Sequence, residues 1–280
     1  MIRLLEGYIR DHWDDFNLSL ELPAIFSFLF LKGFRKTIFF AFKDNDSQPF
    51  AILKISNDPL VFKRLESEYE TLSYLSTKKT MTRDIPAPLA FFEISGHKCV
   101  FESALEGTPM VYAMKGIRTR RGLMRMKEIF SHVVDTLVAL HYPNLPHETD
   151  KKQQIVVEHG DFNPSNLHVS RSSIKIFDWE YSSLQGVPLK DLLDFSLKYV
   201  LFARYLTQEI RREQPVFNDF EEAFLSRASH SQIIWENLNG YCDRMGFARA
   251  SIRDIFSIFV RKYLDEHDAR SCCRKLDILL

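Results

Sequence analysis

The chain has 280 residues, of which 45% are hydrophobic and 26% are charged, and its formal net charge is zero. This composition is typical of a globular protein with a sizeable core, divided into one large or two modest domains. A neutral chain lacks the basic footprint expected of a nucleic-acid-binding protein, and the longest apolar cluster, residues 25–31, is too short to span a bilayer.

The cysteines indicate a reducing compartment. Cys99, Cys242, Cys272 and Cys273 lack the spacing of a metal site, so we expect free thiols and a cytoplasmic protein. The N-terminus shows no basic segment followed by an apolar core and a small-residue cleavage site, so no signal peptide is expected. The oligomeric state is not defined by these features.

The N-terminal part is predicted to be rich in strands. Residues 37–42 and 50–55 are β-branched and aromatic runs separated by a polar turn. Residues 60–76 repeat apolar side chains at helical spacing. Residues 91–102 are expected to form a hairpin with its turn at a Ser-Gly pair.

The later part of the chain is predicted to be helical. Residues 123–141 and 189–206 each carry one apolar stripe at helical spacing. We therefore predict an α+β protein with a β-rich lobe at 1–102, a hinge at 103–107 and a helical lobe at 108–280. A ligand cleft is expected at such a junction.

The most informative stretch is 155–180, in which two short apolar runs each lead to an acid. The first run leads to Asp161, with Asn166 soon after, and the second leads to Asp178. We expect the two runs to be neighbouring strands. Their polar ends can hold a hard cation such as Mg²⁺ against a polyphosphate and leave one carboxylate to meet a hydroxyl. Taken singly, each aspartate would be a turn residue.

The motif HGDFNPSN at 159–166, followed by FDWEY at 177–181, resembles the catalytic core of the aminoglycoside phosphotransferase and choline kinase group. These are small-molecule kinases with a bilobal, protein-kinase-like fold. The resemblance implies ATP and Mg²⁺ as cofactors. It implies that Asp161 orients the acceptor hydroxyl as the catalytic aspartate, and that Asn166 and Asp178 are metal ligands.

Lys54 interrupts an apolar strand, and the next predicted helix carries Glu68 in phase with its apolar positions. Alone, Lys54 would be a solvent-facing residue of a half-exposed strand. Within the resemblance, the two residues match the strand lysine and helix glutamate of kinases. Lys54 would then hold the α- and β-phosphates, and Glu68 would hold Lys54 in place. Glu66 and Glu70 are the neighbours with which Glu68 could be confused.

Two further segments extend the resemblance. VFESALEG at 100–107 resembles the connection between the lobes, where the backbone at Ser103 and Leu105 would bind the adenine edge. GVPLKDL at 186–192 matches the family's GxPxxDL segment, in which Asp191 braces the backbone of the catalytic loop. An acid in a first helical turn is also favoured by the helix dipole.

The sequence departs from the protein kinases at two places. The region of the phosphate-covering GxGxxG loop holds one glycine, Gly33, so the covering of the β- and γ-phosphates is left open. For nearby Arg35, Lys36 and Thr37 the preferred interpretation is surface residues of a turn, and a contribution to covering the phosphates is the alternative. The path after Asp178 is too short for a phosphorylated activation loop, which argues against a regulated protein kinase.

The acceptor side is the least defined. A solvated helix face is the preferred interpretation of the C-terminal acids, and a site for a cationic acceptor is the alternative. These acids are Asp219, Glu221, Glu222, Asp265, Glu266 and Asp268. Core packing is preferred for Trp235, Tyr241 and Tyr263, although such rings can also enclose a quaternary ammonium. For a basic run at 115–127 an ordinary charged helix start is preferred, and a surface that attracts an anionic acceptor, such as a phosphorylated sugar, or a membrane is the alternative.

The sequence therefore predicts an ATP- and Mg²⁺-dependent phosphotransferase. The γ-phosphate would move to a hydroxyl of a small molecule, such as a sugar, an aminoglycoside-like compound or a related metabolite. An amino-alcohol kinase of the choline or ethanolamine type is the enzymatic alternative. A catalytically inactive nucleotide-binding scaffold is the alternative from another class, and the intact set Lys54, Glu68, Asp161, Asn166 and Asp178 argues against it. ATP is not distinguished from GTP.

Overall fold

The computed structural model describes residues 1–16, 18, 21–33, 35–44, 46–78, 83–141, 155–170, 173–209, 216–249 and 251–279. The chain divides into two compact units. The first is Met1–Glu106 with Phe177–Ser182, and the second is Gly107–Ile176 with Ser183–Leu280. The α+β class is confirmed, because the first unit is built on a five-stranded sheet and the second is mainly helical.

An antiparallel sheet of order β1-β2-β3-β5-β4 forms the centre of the first unit. Its strands are β1 (Phe26–Lys32), β2 (Thr37–Lys43), β3 (Ala51–Ser56), β4 (Pro88–Ile94) and β5 (His97–Ser103). The strands predicted at 37–42 and 50–55 and the hairpin predicted at 91–102 are confirmed. At the hairpin turn, Ser95 and Gly96 have positive φ angles of 49° and 73°. A tight type I′ turn requires this left-handed backbone.

The first unit also contains helices. The predicted helix at 60–76 is confirmed as α2 (Pro59–Ser76). It begins where the Asp58 carboxylate accepts a hydrogen bond from the Leu60 N–H at 2.9 Å, an N-cap followed by proline at the first helical position. Helix α1 (Ile2–Asp11) was not predicted, since its packing depends on two buried side chains, Leu5 and Ile9.

The two faces of the sheet carry different residues. Leu53 and Ile55 of β3 belong to the apolar cluster that includes the buried residues of α1. Side chains alternate along a strand, so Lys54 faces the other side. Its register partners are Ile38 on β2 and Val100 on β5, and Val100 packs with buried residues of α2. The register therefore directs a lysine towards the α2 side of the sheet.

The second unit is mainly helical. Its helices are α3 (Met110–Ala113), α4 (Arg120–His141), α5 (Lys190–Leu206), α6 (Phe217–Phe220, continued by a π-helical turn at Glu221–Leu225), α7 (Ser229–Met245), α8 (Ser251–Arg261) and α9 (Glu266–Leu279). The helices predicted at 123–141 and 189–206 are confirmed as α4 and α5. Among the described residues, none of the helices combines the length and apolar character that a membrane span would need.

Short strands complete the second unit. Strands β6 (Thr108–Pro109), β8 (Leu167–Val169) and β9 (Ile174–Ile176) form one small sheet, and β7 (Val156–Glu158) and β10 (Ser183–Gly186) form another. The expectation that the two apolar runs before Asp161 and Asp178 are neighbouring strands is wrong. Within the described part of the chain, β7 pairs with β10 and β9 pairs with β8. The chain after Asp178 turns back as β10 and occupies the edge of β7.

The pairing of β10 with β7 depends on a close approach at Gly186. A Cβ added there would lie 2.1 Å from the Cβ of Glu158. Neither atom can recede like the end of a flexible side chain, so Gly186→Ala should lower the free energy of unfolding by about 2 kcal/mol or more. Chemical denaturation measures this loss.

Gly240→Ala is the matched control for that substitution. Gly240 lies inside α7, and a Cβ added there meets nothing within 4 Å. The control should be neutral or stabilising by up to about 1 kcal/mol, because alanine favours a helix interior over glycine. Equal stability of the two variants would contradict the close approach of β10 to β7.

Candidate functional site

The ammonium group of Lys54 is buried in the first unit among three carboxylates. Its Nζ lies 2.5 Å from Glu68 Oε1, 3.1 Å from Glu102 Oε1 and 3.2 Å from Asp178 Oδ1. A lysine ammonium has three donors, which matches three acceptors. Burial alone would lower the pKa of Lys54. The surrounding carboxylates outweigh burial and raise the pKa well above its ordinary value, so Lys54 is a fixed cation.

The two glutamates around Lys54 are each only half satisfied. Burial raises the pKa of Glu68, and raises that of Glu102 to about 7, although the Lys54 ammonium acts in the opposite direction on both. Among the described residues, Oε2 of each glutamate has no hydrogen-bond partner. Unpaired buried carboxylate oxygens are costly.

Asp178 has an unusual backbone conformation and a charged side chain. Its φ angle of 65° is left-handed, and such a backbone is uncommon for a residue other than glycine and recurs at functional sites. Burial would raise the pKa of Asp178, but the ammonium groups of Lys54 and Lys36 outweigh it and hold the pKa at about 2. The carboxylate is therefore ionised at neutral pH.

The segment Phe177–Ser182 is anchored on α2. The N–H of Trp179 donates to Glu68 Oε1 at 2.8 Å, so Glu68 binds both Lys54 and the backbone next to Asp178. At the end of the segment, Ser182 Oγ lies 2.9 Å from Thr71 Oγ1. These contacts explain why six residues late in the chain belong to the first unit.

Asp161 lies in the second unit, in the loop after β7. Its Oδ1 accepts a hydrogen bond from Asn163 Nδ2 at 2.9 Å, and its Oδ2 accepts one from Asn166 Nδ2 at 3.0 Å. Asn163 in turn accepts from the Ser165 N–H at 2.9 Å, which fixes the start of the turn Pro164–Asn166. Two amides therefore orient the carboxylate. Asn166 uses its nitrogen for this purpose, and its oxygen is the atom that a cation would bind.

The loop that carries Asp161 is braced from α5. Asp191 Oδ2 accepts from the His159 N–H at 2.7 Å, and Oδ1 accepts from the Gly160 N–H at 3.1 Å. The predicted bracing role of Asp191 is confirmed, and the residue also lies in the first turn of α5. His159 is fully buried, and its ring packs edge-on against Phe162 with centroids 5.8 Å apart. This is a structural environment for His159.

Part of the segment predicted as a hinge forms backbone hydrogen bonds within the protein. The Ser103 N–H donates to the Ala87 carbonyl at 2.9 Å, and the Ala104 N–H donates to the Phe50 carbonyl at 3.0 Å. Any contact of Ser103 with a base edge therefore falls to its carbonyl. Leu105 is half-buried in the same segment. The first unit ends directly afterwards, at Glu106.

One residue of this constellation was missed from the sequence, and the preferred interpretation of another was wrong. Glu102 was assigned no role, although strand alternation places it on the same face as Val100 and Lys54. Lys36 was interpreted as a surface residue of a turn, and this is wrong. Its side chain is only 20% exposed and its Nζ lies 2.6 Å from Glu180 Oε2. Strand register would have indicated this position, since Lys36 precedes by two residues Ile38, the register partner of Lys54. Phe34 lies outside the described residues.

The C-terminal acids are largely engaged in ion pairs. Asp219 is buried and lies 2.7 Å from Arg204, so the interpretation as a solvated face is wrong for this residue. Glu221 is paired with Lys275. Glu266 is exposed and pairs with Arg270 at 2.8 Å. These contacts neutralise charge that a cationic acceptor would need.

The candidate aromatic residues pack into the protein. Tyr241 is fully buried. Tyr263 donates to Asp194, and Trp235 Nε1 donates to the Phe224 carbonyl at 2.7 Å. The three side chains thus have different neighbours, which favours core packing over a shared cage.

The similarity of this chain to known proteins is limited to solved structures. No protein-family model and no curated protein matches the chain. Two solved structures of the aminoglycoside phosphotransferase APH(3'')-Id from Streptomyces rimosus ATCC10970 are similar to it. They share 15% identity over 98% of both chains, with TM-scores of 0.46 and, for the complex with ADP and streptomycin, 0.44.

Asp191 should make the stability of the protein depend on pH. Burial, and next the Glu158 carboxylate, raise the pKa of Asp191 to about 7, against the hydrogen bonds from His159 and Gly160. An unfolded aspartate titrates near ~3.9. The group's contribution to stability is therefore complete below that value and is lost as the pH rises through about 7.

The test compares wild type with Asp191→Asn. The stability of wild type relative to this variant should increase as the pH falls from about 8 to about 5, as measured by urea denaturation. Asp254→Asn, in the first turn of α8, is the matched control for replacing a first-turn acid. A wild-type advantage over Asp191→Asn that does not change with pH would contradict the assigned role of burial.

Proposed function

We propose that the chain is an ATP- and Mg²⁺-dependent phosphotransferase that moves the γ-phosphate to a hydroxyl of a small molecule. The observation that carries this proposal is the buried Lys54 ammonium held by Glu68 beside an ionised Asp178. A fixed cation next to a metal-binding carboxylate is what a polyphosphate requires. The motif resemblance at 159–166 and 177–181 supports the same reaction class.

The first unit supplies the nucleotide-binding residues in this proposal. Lys54 binds the α- and β-phosphates and Glu68 positions Lys54. The carbonyl of Ser103 and the backbone of Leu105 bind the adenine edge, since the N–H of Ser103 is already used. The unpaired oxygens of the buried glutamates fit a site that is completed by a ligand.

The residues proposed as metal ligands fit Mg²⁺ chemically. Magnesium prefers hard oxygen ligands and is usually held by one or two protein groups together with substrate phosphates. Asp178 offers an ionised carboxylate and Asn166 offers an amide oxygen. When bound, the ion neutralises charge on the β- and γ-phosphates.

Asp161 orients the acceptor hydroxyl. Its carboxylate is held by the amides of Asn163 and Asn166, so its direction is set before any acceptor binds. Phosphoryl transfer has a loose transition state in most analyses, and positioning contributes more than base strength. A fixed carboxylate therefore suits the role.

We place the chain in the aminoglycoside phosphotransferase and choline kinase group, with a sugar, an aminoglycoside-like compound or a related metabolite as acceptor. An amino-alcohol acceptor is less favoured, because Trp235, Tyr241 and Tyr263 have separate neighbours. An inactive scaffold is less favoured, because Lys54 is held as an active lysine would be. The free cysteines support a cytoplasmic location.

Nucleotide binding is the first test. ATP with Mg²⁺ should stabilise the purified protein against heat by roughly 2–3 kcal/mol at a hundredfold excess over the dissociation constant. Asp178→Asn should abolish the metal-dependent part of this stabilisation. Asp135→Asn, which removes an exposed, ion-paired aspartate, is the control. Absence of a shift with any nucleoside triphosphate would contradict the proposed function.

Turnover is the second test. An acceptor screen with ATP across sugars, aminoglycosides, amino alcohols and nucleosides identifies the substrate class. With the acceptor found, Asp161→Asn should lose about 100-fold or more in kcat while its stabilisation by ATP with Mg²⁺ is retained. Equal turnover of this variant and wild type would show that the role of Asp161 is wrongly assigned.

A further inference from the structure

The ammonium of Lys36 occupies an unusual position in the first unit. Lys36 directly precedes β2, and its Nζ lies 2.6 Å from Glu180 Oε2 and 3.3 Å from Asp178 Oδ1. Lys54 Nζ lies 3.2 Å from the same Asp178 oxygen. Two lysines therefore share one carboxylate oxygen, at the residue proposed to bind metal.

The backbone of Lys36 is fixed by the only glycine of the β1–β2 loop. The Gly33 N–H donates to the Lys36 carbonyl at 2.8 Å, and a Cβ added at Gly33 would lie 2.9 Å from that oxygen. This bond joins Gly33 to Lys36 directly before β2. In sequence, the segment has one glycine and ends in a cation where a glycine-rich loop would have several glycines.

Lys36 is held between two carboxylates, those of Asp178 and Glu180. The side chain is nevertheless 20% exposed. It is therefore a held cation that solvent or a ligand can reach.

A purely structural role explains Lys36 poorly. The segment Phe177–Ser182 is already attached to α2 through Trp179 and Ser182. Arg64 also bonds Tyr181 Oη at 2.8 Å. A further cation from the β1–β2 loop comes in addition to these contacts, and it doubles the number of ammonium groups beside Asp178.

The balance of charges around Lys54 indicates a role for Lys36. Among the described residues, the ion pairs connect two ammonium groups to four carboxylates, those of Glu68, Glu102, Asp178 and Glu180. With all four carboxylates ionised the formal excess is two negative charges, and it is one when Glu102, whose pKa burial raises to about 7, holds a proton. A divalent cation would compensate this excess and compete with both lysines for Asp178, which would release ammonium groups towards an anion.

We propose that Lys36 is a second phosphate-binding lysine, which contacts the terminal phosphates of the nucleotide once a divalent cation has bound Asp178. This inference rests on the proposed function. Lys36 supplies from one side chain the phosphate contacts that backbone N–H groups provide in a glycine-rich loop.

Calorimetric titration with ATP, ADP and AMP in the presence of Mg²⁺ tests the proposal. Lys36→Met should weaken ATP binding by roughly tenfold or more, the size of a charged hydrogen bond, and AMP binding by less than about twofold. Lys43→Met is the matched control at the other end of β2. Lys43 pairs only loosely, at 3.8 Å, with Asp46, and its replacement should leave all three affinities unchanged.

The outcomes separate this inference from the proposed function. A wild type that binds no nucleotide overturns both. A wild type that binds ATP, with Lys36→Met binding ATP and AMP as wild type does, overturns the role of Lys36 alone. Equal losses of affinity for ATP and AMP also overturn it, because they indicate that Lys36 only stabilises the folded structure. Lys36→Gln is measured in parallel and decides the question in the same way if the methionine variant does not fold.

Discussion

The first unit depends on one buried cation. Lys54 is held by carboxylates from α2, from β5 and from the segment after β9, three parts of the chain that are distant in sequence. Removal of one partner from a buried ion pair typically costs about 3–5 kcal/mol, because it leaves an uncompensated charge. Glu68 adds a second constraint, since it also binds the backbone beside Asp178. The same interactions that stabilise this unit therefore position its functional groups.

The second unit is organised in a similar way, around a buried acid instead of a buried cation. Asp191 fixes the backbone before Asp161, and two amides fix the carboxylate of Asp161 itself. In each unit the polar groups are oriented before a ligand arrives. Such preorganisation is what makes electrostatic catalysis effective, because no reorganisation is left to the moment of reaction.

Local patterns in the sequence predicted a large part of this arrangement. Strands β2 and β3, the β4–β5 hairpin, helices α2, α4 and α5 and the brace at Asp191 follow from periodicity and motif. Glu102 was missed, and a surface position was wrongly preferred for Lys36, because the positions of both depend on register, which brings separate strands to one face. The partner of β7 was missed for a related reason, since pairing between short strands is decided by the later course of the chain. Helix α1 has too few buried residues to give a clear pattern.

The excess of carboxylates around Lys54 has a consequence for selectivity. A triphosphate without a cation would be repelled by the negatively charged carboxylates. Its complex with a divalent ion would bring positive charge that compensates them. Under the proposed function, such a site would distinguish complexed from free nucleotide as the nucleotide binds. The occupancy of its nucleotide site would then follow the supply of the metal as closely as the supply of the nucleotide.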